Sequence, residues 1–458
     1  MNKSQQNKIK WYMLSFMCFS TLWGFGNVLN GFVYFNGTQV IFSWILMFAL
    51  YFVPYALMVG ELGSAFKNSG GGVSSWIHET TGAKAAYYAG WTYWACHVTY
   101  IASKGSGGLK ALSWMIFQNA EKYASFNTKA VQLVTFAVLL FFCWVASRGL
   151  NPLKKLATLA GTSMFVMSIL YILLMFAAPV INPNGGYLSV DFSLKNLIPH
   201  FDWKYFSSLS ILVFAVGGCE KISPYVNKVE DPSKGFPKSM IFAAIMVIVC
   251  AIFGTIAMGM MFDVSLVEAN FDSYNANGQY WAFQKLGEYY HIGDTFLIIY
   301  ALCNLIGQFS ILILSIDAPL RMLLDNEKTA QYIPSGLRKK NKYGAYSNGI
   351  KLILVLAGAI IVVQTFLPGA AAVLQQLTRL NSVCMPLRYI WVFVAYIALR
   401  KAYDRIPAEY RFVKNQKIAY FFGGWCFFVT LICCIMGMYN KDPFTFAMNV
   451  ITPVVLTA

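Results

Sequence analysis

Two apolar segments of this sequence are interrupted by small polar runs that are able to bind a ligand. The first run spans residues 23–27, with the sequence WGFGN, and the second spans residues 216–220, with the sequence VGGCE. Glycine disfavours the helix, so both runs can unwind and free backbone groups that hydrocarbon cannot satisfy. A ligand, an ion, water or neighbouring protein must then satisfy them. Paired breaks in two halves of a membrane chain predict the substrate site of a secondary transporter.

The second run is the more informative one because it ends on a carboxylate. Glu220 stands in an apolar stretch and is followed by Lys221 and Pro224. An unpaired charge at membrane depth costs a few kcal/mol or more, so an ionisable residue there points to function. A structural ion pair of Glu220 with Lys221 or Lys104 is the alternative. For the first run, packing between helices is an alternative of equal weight.

Two further charged residues are candidates for gating or coupling. Lys104 lies about 20 residues along its apolar segment, or roughly 30 Å of helix. It either extends to the outer surface, which is slightly favoured, or faces the middle of the segment. Glu61 precedes a glycine run at residues 70–72, where a solvated position at the inner surface is the alternative.

The sequence lacks the motifs of enzymes and of metal sites. It contains no P-loop, no GxSxG, no HExxH and no paired His/Cys ligand set. Its 10 cysteines show no CxxC spacing, and most fall in apolar segments as buried thiols. We therefore predict no enzyme, no catalytic residue, no metal and no cofactor.

Composition indicates an all-α integral membrane protein as the scaffold. Of 458 residues, 58% are hydrophobic and 12% are charged, against about 25% charged in soluble domains. Twelve apolar segments are predicted at 11–35, 38–66, 85–117, 130–147, 157–180, 206–226, 240–262, 295–324, 350–366, 380–399, 418–438 and 444–458. The last has about 15 residues where a crossing helix needs roughly 20, so it either spans poorly or continues in a longer natural chain.

The net charge of +16 lies mostly in short loops between apolar segments. No basic patch interleaved with aromatic residues occurs, which argues against nucleic acid. The concentration of lysine and arginine in these short loops predicts instead that the basic loops are cytoplasmic. The N-terminus is then cytoplasmic too, with residues 1–10 as a short tail. The two longest outer loops, 181–203 and 263–294, hold turn-forming runs at 183–186 and 275–278.

The order of these features resembles the amino acid–polyamine–organocation superfamily of transporters. The resemblance rests on the glycine-broken first segment, on residues 90–94 (GWTYW) and on residues 229–238 (VEDPSKGFPK) after the second break. It implies a five-plus-five inverted repeat, with the repeats at 11–180 and 206–399. Two peripheral segments at 418–458 would follow, in a bacterial plasma membrane. It also implies that Phe214 closes over the substrate and that Tyr93 lines the site.

By this resemblance the chain is a secondary transporter of amino acids or amines, working by alternating access as an exchanger. Where relatives carry a Gly-Ser-Gly type run that binds the substrate carboxylate, this chain has residues 30–32, with Phe32 in place of a small residue. That departure and Glu220 favour a cationic amine such as agmatine or a diamine. Lys104, if it faces the site, favours an anionic or zwitterionic ligand.

Several alternatives stay open at this point. Neutral or acidic amino acids, as in glutamate/γ-aminobutyrate exchange, are the second substrate class. Proton coupling through Glu220 is an option, and the oligomeric state is open. A channel or a membrane sensor is the alternative outside transport, although no filter repeat is present. The residues predicted to contact substrate are Gly24, Gly26, Asn27, Asn30, Gly31, Tyr93, Phe214, Gly217, Gly218, Cys219 and Glu220.

Overall fold

The computed structural model describes residues 8–366 and 384–457 as an assembly of helices. Its α-helices are α1 (Trp11–Leu22), α2 (Phe25–Tyr34), α3 (Val40–Met47), α4 (Val53–Ala65), α5 (Val73–Thr80), α6 (Ala83–Phe117), α7 (Ala120–Ser125), α8 (Thr128–Ala146), α9 (Leu150–Ile181), α10 (Leu194–Leu197), α11 (Trp203–Val216), α12 (Pro232–Gly259), α13 (Val264–Ala269), α14 (Phe271–Tyr289), α15 (Thr295–Leu324), α16 (Ser347–Phe366), α17 (Ile390–Lys401), α18 (Gln416–Met438) and α19 (Pro443–Thr457). Short 3₁₀ segments occur at Gly37–Gln39, Cys219–Lys228, Glu327–Tyr332 and Ser335–Arg338, and a π turn at Phe48–Phe52 joins α3 to α4.

In the described part of the chain, eight helical stretches are long and apolar enough to cross a membrane. They are Gly37–Ala65, Thr128–Ala146, Leu150–Ile181, Trp203–Lys228, Pro232–Gly259, Thr295–Leu324, Ser347–Phe366 and Gln416–Met438. Each coincides with a predicted segment, so the prediction of a multi-pass all-helical protein is confirmed.

The remaining predicted segments do not meet that test of length and composition, each for its own reason. The first is divided into α1 and α2, of 12 and 10 residues, and α19 has 15 residues. The third, α6, has 35 residues but carries many polar side chains. For the tenth, residues 380–383 lie outside the described residues. The same holds for residues 367–379, which precede it in the sequence. The count of twelve spans therefore stays a prediction.

The interior of the assembly is formed by the broken helices and the long helices around them. α6 packs along α15, and α1 packs against α9 and α12. Peripheral helices expose large apolar side chains instead: Leu133 on α8 is 70% exposed and Phe428 on α18 is 60% exposed. Apolar side chains on the outside are expected where the surrounding solvent is lipid.

The outer stretch 263–294 differs from its predicted loop. The run at 275–278, predicted to form a turn, lies inside α14. Tyr280 stacks on Trp114 at 4.9 Å between ring centroids, and Phe283 stacks on Tyr300 at 4.1 Å. Burial of these rings outweighs the weak helix preference of asparagine and glycine. α14 thereby becomes a packed element that can take part in a site.

Glu61 anchors a loop rather than lining a cavity. Its side chain is fully buried, forms an ion pair with Arg400 at 2.6 Å, and accepts a hydrogen bond from the backbone N–H of Phe412 at 2.8 Å. These contacts fix the chain beyond α17 against α4. Its partners lie on α17 and in the chain beyond it, so these contacts are structural, and the gating or coupling role of Glu61 stays a prediction.

Arg400→Leu is expected to lower stability by about 3–5 kcal/mol, because it leaves the buried Glu61 carboxylate without its counter-charge. The apparent melting temperature of the purified protein in detergent measures the effect. Lys67→Ala is the matched control, since its partner Glu409 and Lys67 itself are 51% and 40% exposed, and it should melt like the parent protein. Equal melting temperatures for both variants would contradict the anchoring role.

Candidate functional site

Both predicted breaks are present as interruptions of a helix. α1 ends at Leu22, Trp23 and Gly24 are extended, and α2 begins at Phe25. α11 ends at Val216, Gly217 is extended, and a 3₁₀ segment starts at Cys219. Gly218 has φ of +115°, which side-chain-bearing residues rarely adopt. The second break therefore depends on a glycine at that position.

Asn27 joins the two breaks through its side-chain amide. Its Nδ2 donates to the carbonyl of Leu22 at 3.2 Å and to the carbonyl of Ala215 at 3.4 Å. These carbonyls belong to the last turns of α1 and α11, where the intrahelical partner is missing. One side chain thus satisfies backbone groups of both broken helices and holds them at a defined separation.

A cavity of about 330 Å³ lies between the two breaks. Its walls include Gly24, Gly26 and Asn27 from the first break, and Gly217 and Gly218 from the second. Aromatic and amide side chains complete the lining, among them Trp23, Asn30, Tyr100, Phe214, Asn275, Gln279, Asn304, Gln308 and Tyr389. A small concave site with a few polar groups is the usual form of a small-molecule site.

Three cationic side chains among the described residues line this cavity. Lys104 is half-buried, whereas Lys221 and Arg388 are only 3% and 4% exposed. The Lys221 amine donates to the hydroxyl of Ser315 at 2.7 Å, and the Lys104 amine lies 4.6 Å from the centre of the Tyr100 ring. No aspartate or glutamate is among the described residues that line the cavity. The cavity wall therefore carries positive charge.

Glu220 lies behind that wall. Its side chain is fully buried; Oε1 lies 3.6 Å from Nε of Arg388, and Oε2 accepts a hydrogen bond from the Tyr55 hydroxyl. Glu220 does not line the cavity. The structural ion pair considered for Glu220 is present, but its partner is Arg388 instead of Lys221 or Lys104. Glu220 is thus held behind Arg388 in this structure, and its direct contact with substrate stays a prediction.

Most of the other predicted substrate contacts are brought together. The predicted residues that line the cavity are Gly24, Gly26, Asn27, Asn30, Lys104, Phe214, Gly217 and Gly218. Lys104 faces the cavity instead of extending to the surface. The run at 30–32 lies inside α2 and not at the break. Its Phe32 therefore has no bearing on the backbone N–H groups that the break frees.

Three further predicted contacts lie away from the cavity lining. Gly31 packs on Trp44, since a Cβ added there would lie 2.9 Å from the indole ring. Cys219 is fully buried. Tyr93 is also buried, and its ring centre lies 5.2 Å from the guanidinium carbon of Arg388. Gly31 is thus a packing residue, and Tyr93 contacts a cavity residue instead of lining the site.

Arg388 and α14 are the features that sequence reasoning missed. Arg388 falls within the predicted tenth segment, so the presence of an arginine inside an apolar stretch was the available signal. Asn275 and Gln279 reach the cavity from α14. Their stretch was assigned to a loop, so no signal of that kind was available for them.

A buried polar network closes the other side of the breaks. Asp317 on α15 accepts hydrogen bonds from Arg321 at 2.6 Å and from the Tyr225 hydroxyl at 2.7 Å. Asp317 lies roughly 9 Å of helix beyond Ile311, the last α15 residue at the cavity. α14 precedes the opposite end of α15. α14 therefore contributes to the cavity wall at one end, and this network lies beyond the other end.

A polar cavity between two broken helices, inside an apolar helical bundle, defines a membrane transporter. The chain belongs to the amino acid permease family, because the model of that family matches residues 9–458. It is accordingly a multi-pass membrane transporter of amino acids or related amines, and it is not an enzyme.

Relatives of known name agree with this class. The chain is 44% identical to the aspartate/glutamate permease AcaP of Lactococcus lactis subsp. cremoris over 460 residues, which cover 98% of this chain and 93% of the relative. It is 22% identical to the probable agmatine/putrescine antiporter AguD of Lactococcus lactis subsp. lactis, over 82% of this chain and 76% of the relative. A glutamate/gamma-aminobutyrate antiporter of the same subspecies is 24% identical over 46% of this chain and 41% of its own length.

Gly217→Ala is expected to reduce amino acid uptake strongly, because the added Cβ would overlap the ring of Tyr389, which lines the cavity. The extended backbone at this position is open to alanine, so the effect reports on the ring and not on backbone strain. Uptake of radiolabelled amino acids into proteoliposomes measures it. Gly424→Ala is the control, because nothing lies within 4 Å of a Cβ there; equal uptake by both variants would contradict the assignment.

Proposed function

We propose that this chain transports acidic amino acids, of the aspartate and glutamate class, across the membrane by alternating access. The observation that carries the proposal is the charge of the cavity wall. Lys104, Lys221 and Arg388 line it, and the nearest carboxylate, Glu220, lies behind Arg388. An acidic amino acid carries one more negative than positive charge, so this wall attracts it.

The α2 N-terminus offers a second anion site in the same cavity. α2 begins at Phe25, and Gly24 and Gly26 line the cavity there. The first N–H groups of a helix lack intrahelical partners, and the helix dipole favours negative charge at that end. We assign the α-carboxylate of the substrate to this terminus and the side-chain carboxylate to the cationic residues.

The cationic amine favoured from the sequence fits this cavity less well. That preference rested on Glu220 as a cavity residue and on an altered carboxylate run at residues 30–32. Glu220 lies behind the cavity wall, and residues 30–32 lie inside α2. Agmatine or a diamine would therefore face the Arg388 guanidinium and the Lys104 and Lys221 amines, with no exposed carboxylate among the described residues. The 44% identity to an aspartate/glutamate permease supports the acidic class over the amine class.

The mode of transport is part of the proposal. We assign the first inverted repeat to residues 11–180 and the second to residues 206–399, so that each repeat begins with a broken helix. Alternating access then exposes the cavity first past α14 and then past the network around Asp317. Exchange and proton symport both remain compatible with this scheme, and we propose proton coupling through Glu220.

In counterflow, proteoliposomes loaded with unlabelled aspartate are expected to accumulate external labelled aspartate and glutamate. Agmatine and putrescine, loaded or added outside, should give no accumulation, because the cavity wall repels them. Protein-free liposomes provide the baseline. Accumulation of agmatine without accumulation of aspartate would overturn the acidic class and restore the amine class.

Lys104→Gln is expected to weaken aspartate affinity by about tenfold, which corresponds to one lost charge-assisted contact. Lys104 is the test residue because it forms no ion pair among the described residues, so its loss leaves no buried partner behind. Calorimetric titration of the purified protein measures the affinity. Lys122→Gln, on the exposed helix α7, is the control; the proposed role fails if both variants bind aspartate equally well.

A further inference from the structure

We propose that Glu220 and the side-chain carboxylate of the substrate compete for Arg388. When Glu220 takes up a proton, it releases Arg388, which then binds the substrate carboxylate. This inference rests on the proposed transport of acidic amino acids at the same cavity. It makes Glu220 a positioning residue behind the binding surface. Each acidic amino acid then crosses the membrane together with a proton.

The ion pair between the two residues is loose. Nε of Arg388 and Oε1 of Glu220 are 3.6 Å apart, and within the described chain neither atom makes a hydrogen bond. The second carboxylate oxygen of Glu220 is bonded to the hydroxyl of Tyr55. One half of the carboxylate is thus fixed by a hydrogen bond, whereas the other half lies near Arg388 and the Tyr93 side chain without a well-formed hydrogen bond.

Arg388 retains hydrogen-bonding capacity towards the cavity. Its Nη1 lies 2.7 Å from the sulfur of Met385, which is a weak acceptor. A guanidinium group has five N–H donors in a planar fork that fits a carboxylate through two parallel hydrogen bonds. A substrate carboxylate in the cavity can therefore offer Arg388 a better partner than Glu220 does.

The exchange of partners creates a need for a proton. Glu220 is fully buried, and a buried carboxylate that loses its counter-charge is strongly unfavourable. Protonation removes the charge and keeps the bond with Tyr55, in which the acid accepts as before. Proton binding to Glu220 and substrate binding to Arg388 therefore favour each other. The protein holds the proton more tightly with substrate bound than without it.

The surroundings of Glu220 support Arg388 as the partner that is exchanged. The titratable groups that act on Glu220 are Cys18 on α1, Tyr55 on α4, Tyr93 on α6, its neighbours Cys219 and Lys221, and Arg388 with Tyr389. Lys221 and Arg388 act on His97, and Arg388 and Lys104 act on Lys221. Lys221 gives its hydrogen bond to Ser315. The proton can arrive from the cavity, since Gly218, Lys221 and Arg388 all line it beside Glu220.

The test compares the parent protein with Glu220→Gln in proteoliposomes and by calorimetry. The parent protein should accumulate aspartate when the outside is made acidic. As the pH is raised, its affinity for aspartate should fall by about tenfold per pH unit over the range in which Glu220 is deprotonated in the substrate-free protein. Glu220→Gln should bind aspartate independently of pH and retain measurable exchange, but it should not accumulate aspartate under the pH gradient. The control Glu268→Gln, whose side chain is 64% exposed, should behave like the parent protein.

A second variant keeps the carboxylate. Tyr55→Phe removes the hydrogen bond from Tyr55 to the Glu220 carboxylate and keeps the carboxylate itself, so the dependence of aspartate affinity on pH should change from that of the parent protein. If Glu220→Gln does not fold, an unchanged pH profile in Tyr55→Phe overturns the inference.

The outcomes separate the two proposals. If the parent protein does not exchange aspartate at all, the proposed function fails. If the parent protein exchanges aspartate, but Glu220→Gln still accumulates it under the pH gradient, the function stands and the coupling through Glu220 and Arg388 is wrong. Aspartate binding by the parent protein that does not vary with pH has the same consequence.

Discussion

A helix that breaks inside hydrocarbon leaves backbone carbonyls without partners, and in this protein one asparagine meets that constraint for two helices at once. Asn27 bonds the carbonyls of Leu22 and Ala215. Because the carbonyls belong to the first and second breaks, the amide also sets the distance between them. The cavity, its lining and the approach of charged side chains all depend on that separation.

Charge gives the cavity its chemical character. The three cations come from α6, from the 3₁₀ segment after α11, and from the chain just before α17. Among the described residues beside the cavity, the one carboxylate is Glu220, and its ion pair with Arg388 partly neutralises it. Separate helices therefore combine to create a positive surface that no one segment contains.

The sequence was sufficient to locate the breaks and most helix boundaries, because glycine runs and apolar lengths are local properties. It was also sufficient to name much of the cavity wall, including Gly24, Gly217 and Phe214. It did not indicate that Glu220 lies behind Arg388, because the left-handed backbone at Gly218 redirects the following residues and the ion-pair partner is distant in the chain. It failed for α14, where ring burial overrode local turn preference.

The pairing of Glu220 with Arg388 also bears on how substrate preference can change within this family. An arginine paired with a carboxylate neutralises its charge, and a single substitution of the arginine removes that neutralisation. Replacing residue 388 with a neutral side chain would remove the counter-charge of Glu220 and open that carboxylate to a new partner, either a proton or the amine of a substrate. A lineage could thus pass from acid to amine substrates through a few exchanges at charged positions, while the broken-helix scaffold stayed the same.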